Sequence, residues 1–78
     1  MRIHDSARKH GISDADMLHA SHTRVRKIRE EDGGRTLFIG LGTGGELLEI
    51  VVQEWDDDTE PVIIHAMRLR RNYYRYYL

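Results

Sequence analysis

Cysteine is absent from this chain. That excludes a disulfide framework and any thiolate metal site. No apolar run approaches the roughly 18 residues that a membrane-crossing helix needs. The opening Met1-Arg-Ile-His-Asp5 has no apolar core of the kind a signal peptide carries. A cytoplasmic protein with no membrane partner is therefore expected. No internal repeat, linker or shift of composition divides the chain, so residues 1–78 are expected to form a single domain. No Ser-His-Asp arrangement can be argued. The glycines of Gly40-Leu-Gly-Thr-Gly-Gly45 are followed by neither a lysine nor a helix, as a phosphate loop would require, and they suit a β-turn instead.

What is present is charge in patches. Twelve Lys and Arg against thirteen Asp and Glu leave a net charge of −1. Acids gather in Glu54-Trp-Asp-Asp-Asp-Thr-Glu60, and bases gather in 24–29 and 68–75. The total therefore says little about nucleic acid, whereas the local basic patches point toward it. Five histidines in so short a chain invite a chemical explanation. A core this small is marginal, so a bound partner or a homo-oligomer is expected.

The most informative stretch is Pro61 to Leu78. Val62 to Ile64 read as a strand, because branched side chains suit a pleated surface. His65 lies near its end. Arg68, Arg70, Arg71 and Arg75 follow with no acid among them, interleaved with four tyrosines. A helix over 68–78 would put Leu69, Tyr73 and Tyr76 on one face with Tyr77 beside them. Arg68, Arg71 and Arg75 would form a stripe nearly opposite. An imidazole beside fixed positive charges suits a polyanion whose phosphate is attacked or protonated. The same residues also fit a packed terminal helix with a solvated charged face.

Upstream, residues 4–10 predict a short helix capped by Asp5 or Ser6, with Gly11 in the left-handed position past its end. Ser13 caps a second helix, Asp16 is placed for a capping box, and Ile12 can staple onto Met17. This helix is expected to end between Ala20 and Thr23. Strands follow at 23–30, 35–40, 46–54 and 61–66, with a hairpin turn at Glu31-Asp-Gly-Gly34 and an acidic loop at 55–60. The expected fold is α+β: two N-terminal helices, a four-stranded antiparallel sheet and a C-terminal helix. Helices would cover one face of the sheet. Leu37, Ile39, Leu48, Ile50, Val52, Val62 and Ile64 are placed there. Phe38, Leu47, Glu49, Val51, Ile63 and His65 take the opposite face, with Arg24 and Arg26. An open face bearing arginines and a histidine fits RNA.

Other groupings are weaker. Lys9-His10 before Gly11 can supply a cation and a proton-transfer group, or can merely offset the dipole of its own helix. His19 and His22, a turn after Asp16, offer ligands that nothing else completes, so no metal and no other cofactor is expected. Arg35 can touch a phosphate or pair with nearby acids.

The segments Lys9-His-Gly-Ile-Ser13, Arg35-Thr-Leu-Phe-Ile-Gly40, Gly45-Glu-Leu-Leu-Glu-Ile-Val-Val52 and Val62-Ile-Ile-His-Ala66, with a basic tyrosine-rich tail, together resemble BrnT-type toxins of type II toxin–antitoxin systems. The likeness spans most of the chain. It implies a RelE-like fold and metal-independent endoribonuclease activity in the cytoplasm, restrained by a cognate antitoxin protein. In the family pattern the last strand runs into Ser-Ala-Arg; here His65, Ala66 and Met67 stand at those positions, with Arg68 one place later. An acid usual in the family's last helix is missing around Asn72 to Tyr74. Expected catalytic residues are His65, His10 and Arg68. Lys9, Arg24, Arg26, Arg35, Arg71 and Arg75 are expected to bind RNA. The alternative is a non-catalytic module binding a protein partner or nucleic acid.

Overall fold

The computed structural model describes residues 1–30 and 33–77. Among these the order is β1 (Arg2–Ile3), a 3-10 turn (Asp5–Arg8), α1 (Asp14–His22), β2 (Arg26–Arg29), β3 (Arg35–Leu41), β4 (Leu47–Gln53), β5 (Val62–Arg68), a second 3-10 turn (Arg71–Tyr73) and α2 (Tyr74–Tyr77). The strands form one sheet in the order β1-β5-β4-β3-β2. β2 to β5 make an antiparallel meander, and β1 adds to β5 in parallel.

This corrects the expected plan of two N-terminal helices, four antiparallel strands and a C-terminal helix. The sheet has five strands and is mixed. The first expected helix is a single 3-10 turn, Asp5–Arg8. His4 Nδ1, rather than Asp5 or Ser6, caps it by accepting from the Ser6 amide. Gly11 then turns the chain at φ 77°, where a side chain would be strained. The C-terminal helix shrinks to one 3-10 turn and four α residues, because Arg68 still belongs to β5. The strand expected from Thr23 begins only at Arg26, since Thr23 closes α1 by donating its amide to the His19 carbonyl. Half of the expected turn, Glu31 and Asp32, lies outside the described residues; Gly33 and Gly34 take φ of 79° and 69°.

α1 begins as expected. The Ser13 hydroxyl accepts from the Asp16 amide. The Asp16 side chain does not close the capping box. It accepts instead from the Thr43 hydroxyl at 2.6 Å and the Thr43 amide at 2.8 Å, tying the helix to the β3–β4 turn. Those two bonds hold its carboxyl below the usual range.

Both faces of the sheet are covered. On one, Met17 and Ala20 of α1 and Ala7 of the first turn bury Phe38, Leu48, Ile50, Val52, Ile63 and Ala66. On the other, the chain after β5 folds back. Leu69, Tyr73 and Tyr76 pack on Leu37, Ile39, Leu47, Val51 and Ile28. The Leu69 amide donates to the Leu47 carbonyl, which starts this return. The tyrosine spacing thus buries the side it was expected to bury, and part of the face expected to be open is covered by it.

Two further corrections concern side-chain phase. In β3 it is Phe38 that faces α1, paired across from Ile50, while Leu37 and Ile39 face the tyrosines. Gly40 shows why. Its backbone lies so close under α1 that a Cβ would overlap the Ala20 carbonyl oxygen. Glycine at that spot fixes the even-numbered residues of β3 toward the helix. In β5 a bulge falls opposite the Val51–Val52 step: Val52 pairs with Ile63, but Val51 pairs with His65. Ile64 is the extra residue. Ile63 and Ala66 therefore both enter the helix-side core, while His65 turns to the other face.

Candidate functional site

The site grows from one misfit residue. Glu49 is the only charged residue of β4, and it is fully buried. An ionised carboxylate survives such burial only with partners that replace water. Arg70 supplies most of them. Its amide donates to Oε1 at 3.0 Å, and its guanidinium donates to Oε1 at 3.1 Å and to Oε2 at 2.8 Å. The His65 ring completes the shell, with Nε2 at 3.0 Å from Glu49 Oε2. Register explains the meeting: Val51 and Glu49 stand opposite His65 and Met67, so Glu49 and His65 share a face on adjacent strands. The return of the chain at Leu69 then lays Arg70 over the carboxylate.

Burial is the largest single influence on the Glu49 carboxyl, and it works to raise the pKa. The hydrogen bonds from Arg70 and His65 together outweigh it and hold the group below its ordinary value. In turn the carboxylate raises the Arg70 guanidinium. An ionised Glu49 can only accept. His65 must therefore donate from Nε2, which leaves Nδ1 as the basic nitrogen of the neutral ring. A buried acid thus sets both the tautomer and the orientation of a half-buried imidazole.

His65 opens on a concavity of about 520 Å3 lined by His4, Ser6, Glu30, Arg35, Val51, Ile64, His65 and Arg70. Arg35 enters from the start of β3. His4 and Ser6 enter from the first turn, which is pinned to the sheet by the Ser6 hydroxyl donating to the Ile64 carbonyl at 2.7 Å. His10 stands beside His65, ring centroids 5.5 Å apart and 75° between planes.

The expected site residues divide accordingly. His65 and Arg35 line the concavity, and His10 touches His65. Arg68 is exposed at the end of β5, opposite Leu48, and shares the side of the strand that carries Ala66 rather than His65. Lys9 is exposed at the end of the first turn. Arg24 lies on the helix side, 4.9 Å above the Phe38 ring, and donates to the Ser21 carbonyl. Arg26 faces the opposite side and donates to the Val25 and Tyr77 carbonyls. Arg71 is exposed, and Arg75 rests on the Tyr76 ring at 5.1 Å. His19 Nδ1 is 2.7 Å from the Leu41 carbonyl, and Asp16 is held by Thr43, so neither faces His22 as a ligand set.

Glu49, Arg70, His4 and Ser6 are not among the expected site residues. A signal for Glu49 was available: it interrupts the apolar run Leu47-Leu-Glu-Ile-Val-Val52, and a charge in such a run is buried only with a partner. Nothing local marks His4 or Ser6, whose place depends on a strand pairing almost sixty residues away.

Among the described residues no helix is long and apolar enough to cross a membrane. No family model matches this chain, and neither a curated protein nor a solved structure shows significant similarity to it.

Proposed function

We propose that this chain is a metal-independent endoribonuclease of the toxin kind, acting on RNA in the cytoplasm and held in check by a cognate antitoxin protein. The observation that carries the reading is the Glu49–His65 pair at the mouth of a concavity that also holds Arg35. The resemblance of its segments, in their order, to BrnT-type toxins supports the same reading.

The chemistry follows from the tautomer. The 2′-hydroxyl of a bound nucleotide gives its proton to His65 Nδ1 as its oxygen attacks the adjacent phosphorus. The 5′-oxygen leaves with a proton from His10, whose ring meets that of His65. A 2′,3′-cyclic phosphate and a free 5′-hydroxyl result. Well-placed proton transfer contributes about 10²–10⁴-fold per group. Arg35 holds the phosphate and stabilises the charge that builds on it. Arg70 is committed to Glu49 and serves the site mainly by keeping that carboxylate in place.

The test is incubation of the whole chain with single-stranded RNA in EDTA. Fragments ending in cyclic phosphate are expected. His65→Ala should reduce their formation by at least about 10²-fold. Intact RNA, or equal cleavage by wild type and His65→Ala, would reject the assignment. Expression in a bacterial host is expected to arrest growth, and the antitoxin to relieve it.

A second reading rests on a charge count. Arg35 is matched by Glu30 in the concavity, and Arg70 by Glu49 buried beneath it, so the fixed charges cancel. That balance favours a non-catalytic module binding a protein partner or nucleic acid. Salt-sensitive RNA binding with no product would select it.

A further inference from the structure

A second concavity of about 420 Å3 adjoins the first. It is lined by Arg29, Glu30, Gly33, Gly34, Arg35, Thr36, Glu54, Trp55 and Asp56. Glu30 and Arg35 line both. They sit together because the Glu30 amide donates to the Arg35 carbonyl at the base of the β2–β3 hairpin. The arginine side chain therefore stands on the ridge between two hollows, one carrying the imidazoles and the other carrying the chain's single tryptophan.

Trp55 is unusual for its type. Large aromatic side chains are buried when they serve a core. Trp55 is 47% exposed and belongs to neither apolar cluster. It follows the end of β4, just past Glu54, whose carboxylate accepts from the Thr36 hydroxyl at 2.7 Å. A flat indole held at the wall of a polar hollow is a surface on which a flat ring can stack.

The other groups narrow the ring's identity. Arg29 and Arg35 offer paired N–H donors, and Glu30, Glu54 and Asp56 offer carboxylate acceptors. Guanine is the standard base whose edges answer both. Its O6 and N7 accept a guanidinium fork, and its N1–H and amino group present adjacent donors to a carboxylate. Adenine shows a donor where the fork needs an acceptor. Cytosine and uracil lack N7 and give a smaller stacking surface.

We propose that this second hollow is a guanine subsite, with Trp55 as its stacking platform and Arg35 shared between the base and the neighbouring phosphate. The proposal rests on the phosphodiester reading above and deepens it, by naming the nucleotide that flanks the cleaved bond.

Trp55 reports on its own site. Its fluorescence is followed while the whole chain is titrated with 5′-GMP, and separately with AMP, CMP and UMP. Saturable quenching by GMP is expected, at a concentration at least about tenfold below that needed for the other three. Calorimetry then compares variants. Trp55→Ala should weaken GMP binding about tenfold or more, and Trp55→Phe, which keeps a flat ring, should restore most of it. Quenching alike by all four nucleotides, or GMP binding unchanged in Trp55→Ala, overturns the subsite. RNA cut without regard to guanosine overturns it too while leaving the nuclease standing. Uncut RNA with selective GMP binding has the reverse meaning: the subsite stands and the nuclease falls.

Discussion

The two faces of the sheet are buried by opposite means. Under α1 the contact is mostly apolar: Met17, Ala20, Ile50, Val52, Ile63 and Ala66 are sealed from solvent, and the buried Thr36 hydroxyl is met by Glu54. Under the C-terminal segment the buried layer includes Glu49, and its cover is made of half-exposed tyrosines and an arginine. The first face can be dry because β3 and α1 meet at a glycine. The second cannot, because a carboxylate there must be met by Arg70 and His65. Stability therefore concentrates on the helix side, while the groups with chemistry to offer concentrate on the other. Small domains have little core to spare, and here the two demands are placed on separate surfaces.

The sharpest way to break the contrast is at Gly40. A methyl group there overlaps the Ala20 carbonyl, backbone against backbone, with no flexible side chain to give way. Gly40→Ala is expected to cost about 3 kcal/mol or more. Thermal unfolding followed by circular dichroism should show a large fall in Tm or loss of the cooperative transition.

A smaller effect is expected on the polar face. Glu49→Gln keeps the volume and removes the charge that Arg70 and His65 surround. The expected cost at neutral pH is about 2 kcal/mol by urea denaturation, less than for a fully enclosed ion pair because Arg70 can return to water. Acid should reveal the same group. Its folded pKa is depressed, so its contribution is fully present above the ordinary glutamate value and disappears as pH falls through the lower folded one. Glu49→Gln should flatten that limb of the stability profile without removing it, since Asp14, Asp16 and Asp57 are depressed as well.

The weakest effect is expected outside both faces. Arg8 bridges Asp5 at 2.7 Å and Asp14 at 2.9 Å, all on the surface. Asp14→Asn should leave Tm within experimental error at physiological salt, because water and ions already screen the pair. A drop as large as that of Glu49→Gln would mean that the burial argument misjudges what protects a carboxylate.

Much of this arrangement was readable before the fold was known, and the parts that were not have common causes. Ser13 and Gly11 announced the start of α1 and the turn before it through backbone chemistry that acts locally. The alternation of Leu48, Ile50 and Val52 placed β4 correctly because Glu49 breaks the apolar run. In β3, Leu37, Phe38 and Ile39 are all apolar, so a period of two has no contrast to follow and the phase was assigned to the wrong side. β1 has two residues and a partner about sixty positions away, and no local pattern records such a pairing. For the candidate site, residue type alone singles out His65, His10 and Arg35, which the fold brings near one another. Spacing along a continuous helix favours Arg68 over Arg70, but the strand runs on through Arg68. Glu49 was placed on the right face but given no role, since its importance appears only when its two partners arrive from different elements.

The extra residue at Ile64 has a consequence for how this strand can vary. Two inward positions, Ile63 and Ala66, lie an odd number of steps apart. The phase of the half beside β1 is thereby uncoupled from that of the half bearing the imidazole. Each half can vary in sequence on its own terms, one packing against α1 and one carrying His65 opposite Val51, without either dictating on which side the other emerges.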